Sequence, residues 1–582
     1  MNLDILKKLT CVLNKKQQKK IFGMGILILN GGLLETLGVS MILPLVTAIL
    51  DKERMYQNKY VQWICNILRI DNMDGFIILL LMVVVLVFVV KNAYLLYLAY
   101  AQARFVNNNQ HRAGSYMLEE YLNRPYEFYL NADIPTIFRI LDGDIPKVFQ
   151  LLLSLIRLVT EVVVAMCLVI VVMIIDAKMT IMLLALFFVM TLIIVKVLKP
   201  ILNKIGKENQ EIQSLAGRWR TKAVYGIKDV KVLNSEHFFA SFYEKHTRRG
   251  RDLTTKYSVL NNVPRTIIET TCIAGILIYI AFCIGAGIDV TNLISQITAF
   301  AVAAIRLMPS MNRINTYMTD IAFFEPSLDY VYNHVDFTKY RTLGKYTPDL
   351  PKNSEPIVVK EDITLRDVTY SYPNTDKKIL DHANMLIPIG KSVGVVGPSG
   401  AGKSTVIDIF LGLLRAQEGS VFCGNRDVMD NYPSWLSKVG YIPQSIYLSD
   451  DSIRDNIAFG VPKEQIDDNR IWKVLEEAQM KHFVEALPQG LDTSTGDRGV
   501  RISGGERQRL GIARALYHNP DILVFDEATS ALDNVTEKAV MEAINSFHGK
   551  KTMVIIAHRL NTIEKCDLIY RVENGQIVKQ DK

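Results

Sequence analysis

The chain has 582 residues, of which 49% are apolar and 21% charged, and a formal net charge of +7. That length holds about two or three domains, and so high an apolar share puts one of them in a membrane. The basic residues gather near the ends of apolar runs, as membrane flanks do, which argues against nucleic acid as the partner.

Residues 1–20 carry Lys7, Lys8, Lys15, Lys16, Lys19 and Lys20 around a short apolar patch without a small-residue cleavage site, and read as an uncleaved cytoplasmic leader. Six stretches are then long enough for membrane helices of about 20 residues: 21–50, 75–101, 150–175, 178–198, 258–288 and 290–318. An even number of spans returns both termini to one side. Asp176 to Lys178 and Gly285 to Asn292 make tight turns, whereas 102–149 and 199–257 are long, polar and helically periodic. The long segments contain Lys204, Lys207, Arg218, Arg220, Lys222, Lys228, Lys231, Arg248, Arg249 and Arg251, which places them and both termini in the cytoplasm. On the opposite face, Asp51 to Asp74 includes Tyr60, Val61, Trp63, Ile64, Ile67, Leu68 and Ile70, equally compatible with a short interfacial helix or with packing over the first span.

Beyond about Asp320 the long apolar runs give way to mixed charge with regular Gly and Pro, the texture of a soluble α/β domain. The expected boundaries are a transmembrane domain at 1–330, a linker at 331–355 and a soluble domain at 356–582. The seven cysteines, at 11, 65, 167, 272, 283, 423 and 566, show neither metal-ligand spacing nor a paired framework and read as reduced and structural.

In the soluble part, Ser392-Val393-Gly394-Val395-Val396 reads as a short buried strand. Gly397-Pro398-Ser399-Gly400-Ala401-Gly402-Lys403-Ser404-Thr405 follows it with P-loop spacing. The glycines let backbone amides curl around phosphate, the next helix aims its positive end there, Lys403 suits β- and γ-phosphate oxygens, and Ser404 suits magnesium. ATP and Mg2+ are the implied cofactors. A second strand, Ile522-Leu523-Val524-Phe525, ends in Asp526-Glu527 at the rim of a parallel sheet. Asp526 suits the magnesium shell and Glu527 the polarising of an attacking water; either acid alone would serve equally as a helix cap. Ile502-Ser503-Gly504-Gly505-Glu506-Arg507-Gln508-Arg509 sets a Ser-Gly-Gly turn at a helix start, where amides can grip phosphate.

Together these motifs resemble an ATP-binding-cassette exporter over essentially the whole chain, with Gln444 matching the glutamine loop, Ser530-Ala531-Leu532-Asp533 the aspartate loop and His558 the switch histidine. The resemblance implies a six-helix α-helical transmembrane domain fused to an α/β P-loop ATP-binding-cassette domain, that is, an ATP hydrolase coupled to transport. It implies that Gln444 and His558 join Glu527 in catalysis, that Gln444 joins Ser404 and Asp526 about the metal, and that Asp533 lies at the nucleotide with Ser503, Gly504 and Gly505. Tyr372, just before Pro373, matches the aromatic that stacks on adenine; taken alone, it reads as core or turn packing. Ile502 and Glu506 stand where Leu and Gln are commoner in the signature, for which a modest rate effect is expected. In this family each ATP lies between the P-loop of one cassette and the signature of another, so a second chain is implied, a homodimer first and a heterodimer as the alternative. The turns near Leu141 to Ile145 and Tyr225 to Val230 resemble the coupling helices of exporters.

Glu35, Lys91, Arg157, Glu161, Lys196, Arg265, Glu269, Arg306 and Arg313 are more ionisable residues than membrane anchoring needs. Arg157 with Glu161 and Arg265 with Glu269 are four apart and can pair along one helical face. Lys91, Arg265, Arg306 and Arg313 are the candidates for an anionic head group, the bland alternative being that they snorkel to lipid phosphates. Glu35-Thr36, Pro264-Arg265, Arg306-Leu307-Met308-Pro309-Ser310 and Asn312-Arg313 resemble the PglK-type flippases of lipid-linked oligosaccharides. That likeness implies flipping of a polyprenyl-pyrophosphate glycan from the inner to the outer leaflet of a bacterial plasma (inner) membrane, with membrane lipid and the anionic glycolipid as partners. Lys91 stands where an arginine would match better, keeping the charge without the bidentate fork. The alternatives are a general lipid or hydrophobic-drug exporter and a non-transporting, membrane-anchored regulatory ATPase.

Overall fold

The computed structural model describes residues 3–41, 45, 61–63, 73–175, 177–285, 290–337, 355–496, 499–527, 534–557 and 563–580. Most of the 51–74 loop and of the 331–355 linker therefore lies outside the described residues. The chain divides into two compact units, Met1–Arg124 with Asp133–Thr347, and Pro125–Ala132 with Pro348–Lys582.

The first unit is helical. A short helix α1 (Leu3–Val12) precedes α2 (Lys15–Ser40) and α3 (Met73–Leu122). The five-residue α4 (Tyr126–Leu130) belongs to the second unit. Then come α5 (Ile134–Arg139), α6 (Ile145–Ile175), α7 (Ala177–Tyr225), α8 (Ile227–Val232), α9 (Glu236–Gly285) and α10 (Val290–His334). Helices α3 and α9 have 50 residues each. At a rise of 1.5 Å per residue that is about 75 Å, more than twice the roughly 30 Å hydrocarbon core, so the apolar spans continue directly into the polar segments read from the sequence. Among the described residues, three segments are long and apolar enough to cross a membrane: Lys15–Gly38, Asp74–Leu122 and Ile134–Val171. Leu33, Leu86, Val89 and Ile174 are exposed, as lipid-facing side chains are. Helix α1 is amphipathic rather than trailing: Ile5, Leu9 and Val12 are buried, and Lys8 Nζ reaches Asp329 of α10 at 2.9 Å.

Close helix approach is built on small residues. A Cβ on Gly206 of α7 would lie 2.4 Å from the Phe323 carbonyl oxygen of α10, so only glycine lets these backbones meet. The core at this approach includes Ile205, Leu253 and Phe323.

Leu141 to Ile145, read from the sequence as a coupling turn, is instead the interior of a helix running without interruption from α5 into α6. The stretch Ile140–Asp144 forms one wide π turn, in which the Ile145 amide donates to the Ile140 carbonyl five residues back. Pro146 explains the widening: it has no amide to donate and its ring crowds the carbonyl four residues earlier. The wide turn swings Asp144 fully inside, where its Oδ1 accepts from Gln210 and from Ser327, each at 3.0 Å, and its Oδ2 lies 3.1 Å from Arg139 Nε. Tyr225 to Val230, by contrast, does form a break: α7 ends at Tyr225 and α8 begins after Gly226, with Val224, Tyr225, Ile227 and Val232 exposed.

The second unit carries two sheets. Strands β1 (Ile363–Ser371), β2 (Lys378–Ile387), β4 (Glu418–Cys423) and β5 (Arg426–Asp427) form one, in the order β2-β1-β4-β5. The other contains β3 (Ser392–Val396), β6 (Val439–Ile442), β7 (Ile522–Asp526), β8 (Thr552–Ile556), β9 (Leu568–Glu573) and β10 (Gln576–Gln580), ordered β10-β9-β3-β8-β7-β6. Within it β9, β3, β8, β7 and β6 run parallel. Strands β7 and β8 are buried at every position, which is why they read as unbroken apolar runs rather than alternating ones. Parallel strands gather the loops that follow them at one edge of the sheet, and that edge is where the chemistry collects.

Candidate ATPase site and membrane cations

The loop 397–402 leaves the end of β3 and enters α11 (Lys403–Phe410). Gly402 caps that helix at φ +101°, a left-handed conformation in which an added Cβ would also come within 2.8 Å of Ile379. The Lys403 side chain is 5% exposed and its Nζ donates to the carbonyls of Gly397 (3.0 Å) and Pro398 (3.1 Å). The lysine thus lies across the mouth of the loop, held by backbone acceptors that a phosphate can replace. This ring of backbone around one cation fits a nucleotide phosphate. Ser404 is exposed beside it. Tyr372 joins the same neighbourhood, its hydroxyl 3.0 Å from Thr405 Oγ1 and its ring edge-on to Tyr370.

Two strands away, β7 ends at Asp526, which is 8% exposed. Glu527 turns out of the strand at φ +48° and its amide donates to the Ile556 carbonyl. Gln444, just past β6, donates from Nε2 to Glu527 Oε2 at 2.6 Å, and the Tyr441 hydroxyl donates to Asp526 Oδ2 at 3.3 Å. Asp408 of α11 completes an acidic neighbourhood: burial, and then the charge of Asp526, push its carboxyl up to about 6. A carboxylate pair with an exposed, hydroxyl-bearing Ser404 is an oxygen donor set of the kind magnesium takes.

Ser503, Gly504 and Gly505 stand apart from this cluster, at the start of α12 (Gly504–Tyr517). Ser503 caps α12, and its own amide donates to Glu506 Oε2 at 2.9 Å, a reciprocal capping box. This gives Glu506, noted above as a departure, a local structural role; the Ser-x-x-Glu spacing was the sequence signal for it. Asp533 and His558 lie outside the described residues. Tyr441, Asp408 and the buried Asp144 were not singled out from the sequence.

In the membrane unit the cations have partners that linear spacing did not reveal. Lys91 Nζ lies 3.0 Å from Glu35 Oε1, bridging α3 to α2. Arg313 pairs with Glu161 at 2.7 Å, bridging α10 to α6, so the acid four residues from Arg157 is engaged by another helix. Lys91 and Arg313 thus each have an acid beside them. Arg265 and Glu269 approach only to 3.9 Å, and the Arg265 side chain remains 67% exposed. Arg306 lies in α10, with its side chain outside the described set. A polar node that the sequence reading missed ties three helices together: Asp320 accepts from Tyr257 (2.6 Å), Asn261 (3.2 Å) and Ser154 (3.4 Å).

A long helical membrane unit joined to a P-loop ATPase cassette defines an ABC-type transport ATPase. Residues 22–310 match the ABC transporter transmembrane region and residues 380–530 the ABC transporter family's ATPase part. The chain belongs to the ABC transporter family, as a half-transporter of the exporter type. It is 30% identical over 409 residues to an ATP-dependent lipid A-core flippase of Idiomarina loihiensis, covering 67% of this chain and 66% of that protein. It is 34% identical over 373 residues to the mitochondrial iron-sulfur clusters transporter ATM1 of Saccharomyces cerevisiae, covering 62% and 51%. These alignments span two thirds or less of the relatives' own lengths. In fold it matches a bacterial Atm1-family ABC exporter with ATP bound, at a TM-score of 0.74 and 20% identity over 96% of this chain and 94% of that one.

Proposed function

We propose that this chain is one half of an ATP-driven lipid exporter, working as a pair of identical chains in a bacterial inner membrane with its cassettes and termini in the cytoplasm. The observation that carries the ATPase reading is the meeting of Lys403, Asp526, Glu527 and Gln444 at one edge of one sheet, with Gln444 already 2.6 Å from Glu527. In this reading Tyr372 stacks on adenine, and the amides of Gly397 to Thr405, with Lys403, bind the phosphates. Ser404, Gln444 and Asp526 hold magnesium, which supplies charge neutralisation at the phosphates. Glu527 accepts the proton of the attacking water, helped by Gln444 and His558. Ser503, Gly504, Gly505 and Asp533 of one chain close over the nucleotide of the other, and that closure drives the cytoplasmic helical extensions, among them the turn at Tyr225 to Val230 that resembles a coupling helix.

For the cargo, relatives named as lipid A-core flippases favour a lipid. A polyprenyl-pyrophosphate glycan is the finer reading, and it now rests chiefly on Arg265 and Arg306, because Lys91 and Arg313 are ion-paired to glutamates. The second reading, a general lipid or hydrophobic-drug exporter, is favoured by that same pairing. The test is ATP hydrolysis in liposomes with and without a lipid-pyrophosphate oligosaccharide, following outer-leaflet sugar beside a Glu527→Gln control. ATP-dependent appearance that the control abolishes, and that Arg265→Ala or Arg306→Ala removes while basal hydrolysis persists, supports the glycolipid. Hydrolysis without appearance over varied glycans moves the cargo to the second reading.

A further inference from the structure

One short segment touches both carboxylates at the end of β7. Strand β6 pairs in parallel with β7, setting Tyr441 opposite Val524 and Ile442 opposite Phe525. From there the Tyr441 hydroxyl reaches Asp526 Oδ2 at 3.3 Å, and three residues on the Gln444 amide reaches Glu527 Oε2 at 2.6 Å. The two acids are adjacent in sequence and turn apart at the left-handed Glu527, so each needs its own holder. We infer that Tyr441 is a positioning residue for Asp526, and that Tyr441 to Gln444 acts as a two-point clamp keeping the metal carboxylate and the water-polarising carboxylate in register.

Three observations support the clamp. Asp526 shares its surroundings with Asp408, a like charge that repels it. A neutral donor offsets that repulsion without competing as a cation. The Tyr441 phenol is suited to this as an uncharged hydroxyl that donates a single hydrogen bond to Asp526 Oδ2. Finally, Tyr441 and Gln444 lie three residues apart on one short segment, each bonded to a different acid. A displacement of the segment therefore moves the holders of both acids at once. The inference rests on the proposed ATPase reading and deepens it: Tyr441 acts through Asp526 and touches neither nucleotide nor water.

The test uses the full chain in lipid nanodiscs and the variant Tyr441→Phe, which removes only the hydroxyl. We expect the magnesium concentration for half-maximal hydrolysis to rise about 3- to 10-fold, the scale of losing one ordinary hydrogen bond, as suits a contact as long as 3.3 Å, with the rate at saturating magnesium within about twofold of the parent. A fluorescent ATP analogue supplies a readout free of turnover: its binding in EDTA should be unchanged, and the gain on adding magnesium should weaken by the same factor. Unchanged magnesium dependence in both assays, or a loss of nucleotide binding that is equal with and without magnesium, overturns the inference. So does a lowered unfolding midpoint that accompanies no change in magnesium dependence, because a merely structural tyrosine behaves that way. A parent chain that binds nucleotide and magnesium without hydrolysing it sinks the ATPase reading instead, while the binding comparison still decides the role of Tyr441.

Discussion

Replacing Lys91 by methionine tests whether the membrane cations hold helices together. Lys91 is 7% exposed, its Nζ lies 3.0 Å from Glu35 Oε1 and 4.9 Å from the centre of the Phe88 ring, and its stem packs where Gly38 leaves room. Breaking a buried pair from one side strands the other charge, at about 3–5 kcal/mol. Glu35 keeps a quarter of its side-chain exposure, which lowers the expected loss to about 2–4 kcal/mol. In detergent-solubilised protein that is a fall in unfolding midpoint of about 5 °C or more. Glu35→Gln should be milder, and the double variant Lys91→Met with Glu35→Gln should recover most of the loss, because no charge is then left buried alone. If Lys91→Met is as stable as the parent, or if the double variant is no better than the single one, the pair is not what joins α2 to α3. A double variant that is stable and hydrolyses ATP yet moves no lipid would return Lys91 to the cargo site.

Gly206→Ala forces a Cβ against the Phe323 carbonyl at 2.4 Å and should destabilise the membrane unit by about 1–3 kcal/mol, read as a lower unfolding midpoint in detergent. Asp408 has a folded pKa raised to about 6, so the folded state holds an extra proton between about pH 4 and 6. Its favourable contribution is complete below about pH 4 and is lost as pH rises through 6. Asp408→Asn should then stabilise the cassette by about 1 kcal/mol at pH 7.5, allowing for solvent screening of a half-exposed group, and by nothing measurable at pH 4.5. This is checked by thermal unfolding with EDTA; a gain that is equal at both pH values contradicts the assignment. Ser503→Ala removes the cap of α12, about 1 kcal/mol, and should sharply reduce ATP turnover, whereas Glu506→Gln keeps the capping box and should change turnover only modestly.

The cassette's chemistry was legible because its motifs are local. A P-loop, a strand ending in Asp526-Glu527 and a Ser-Gly-Gly helix start each occupy a few consecutive residues, and the physics that selects them acts at that range. The membrane domain was legible in its spans and long polar extensions for the same reason, since apolar length is a one-dimensional property. Pairings between helices were not. Spacing suggested Arg157 with Glu161, but side chains 152 residues apart, Arg313 and Glu161, meet at 2.7 Å. Tyr441 was missed because its value lies in a parallel register across two strands, which no linear pattern carries. Leu141 to Ile145, taken as a turn from its resemblance to a coupling helix, misled because the helix accommodates Pro146 by widening rather than breaking.

That widened turn has a consequence for the chain's numbering as well as its shape. A π turn takes up one residue more than an α turn, so every side chain of α5 is rotated by about 100° from where an unbroken α-helix would set it relative to α6. Arg139 owes its place beside Asp144 and over the Tyr330 ring to that offset. Removing a single residue between Ile140 and Asp144 would leave the composition almost untouched and yet turn one stretch of helix to face a different neighbour. Length is as much under constraint at that turn as side-chain identity.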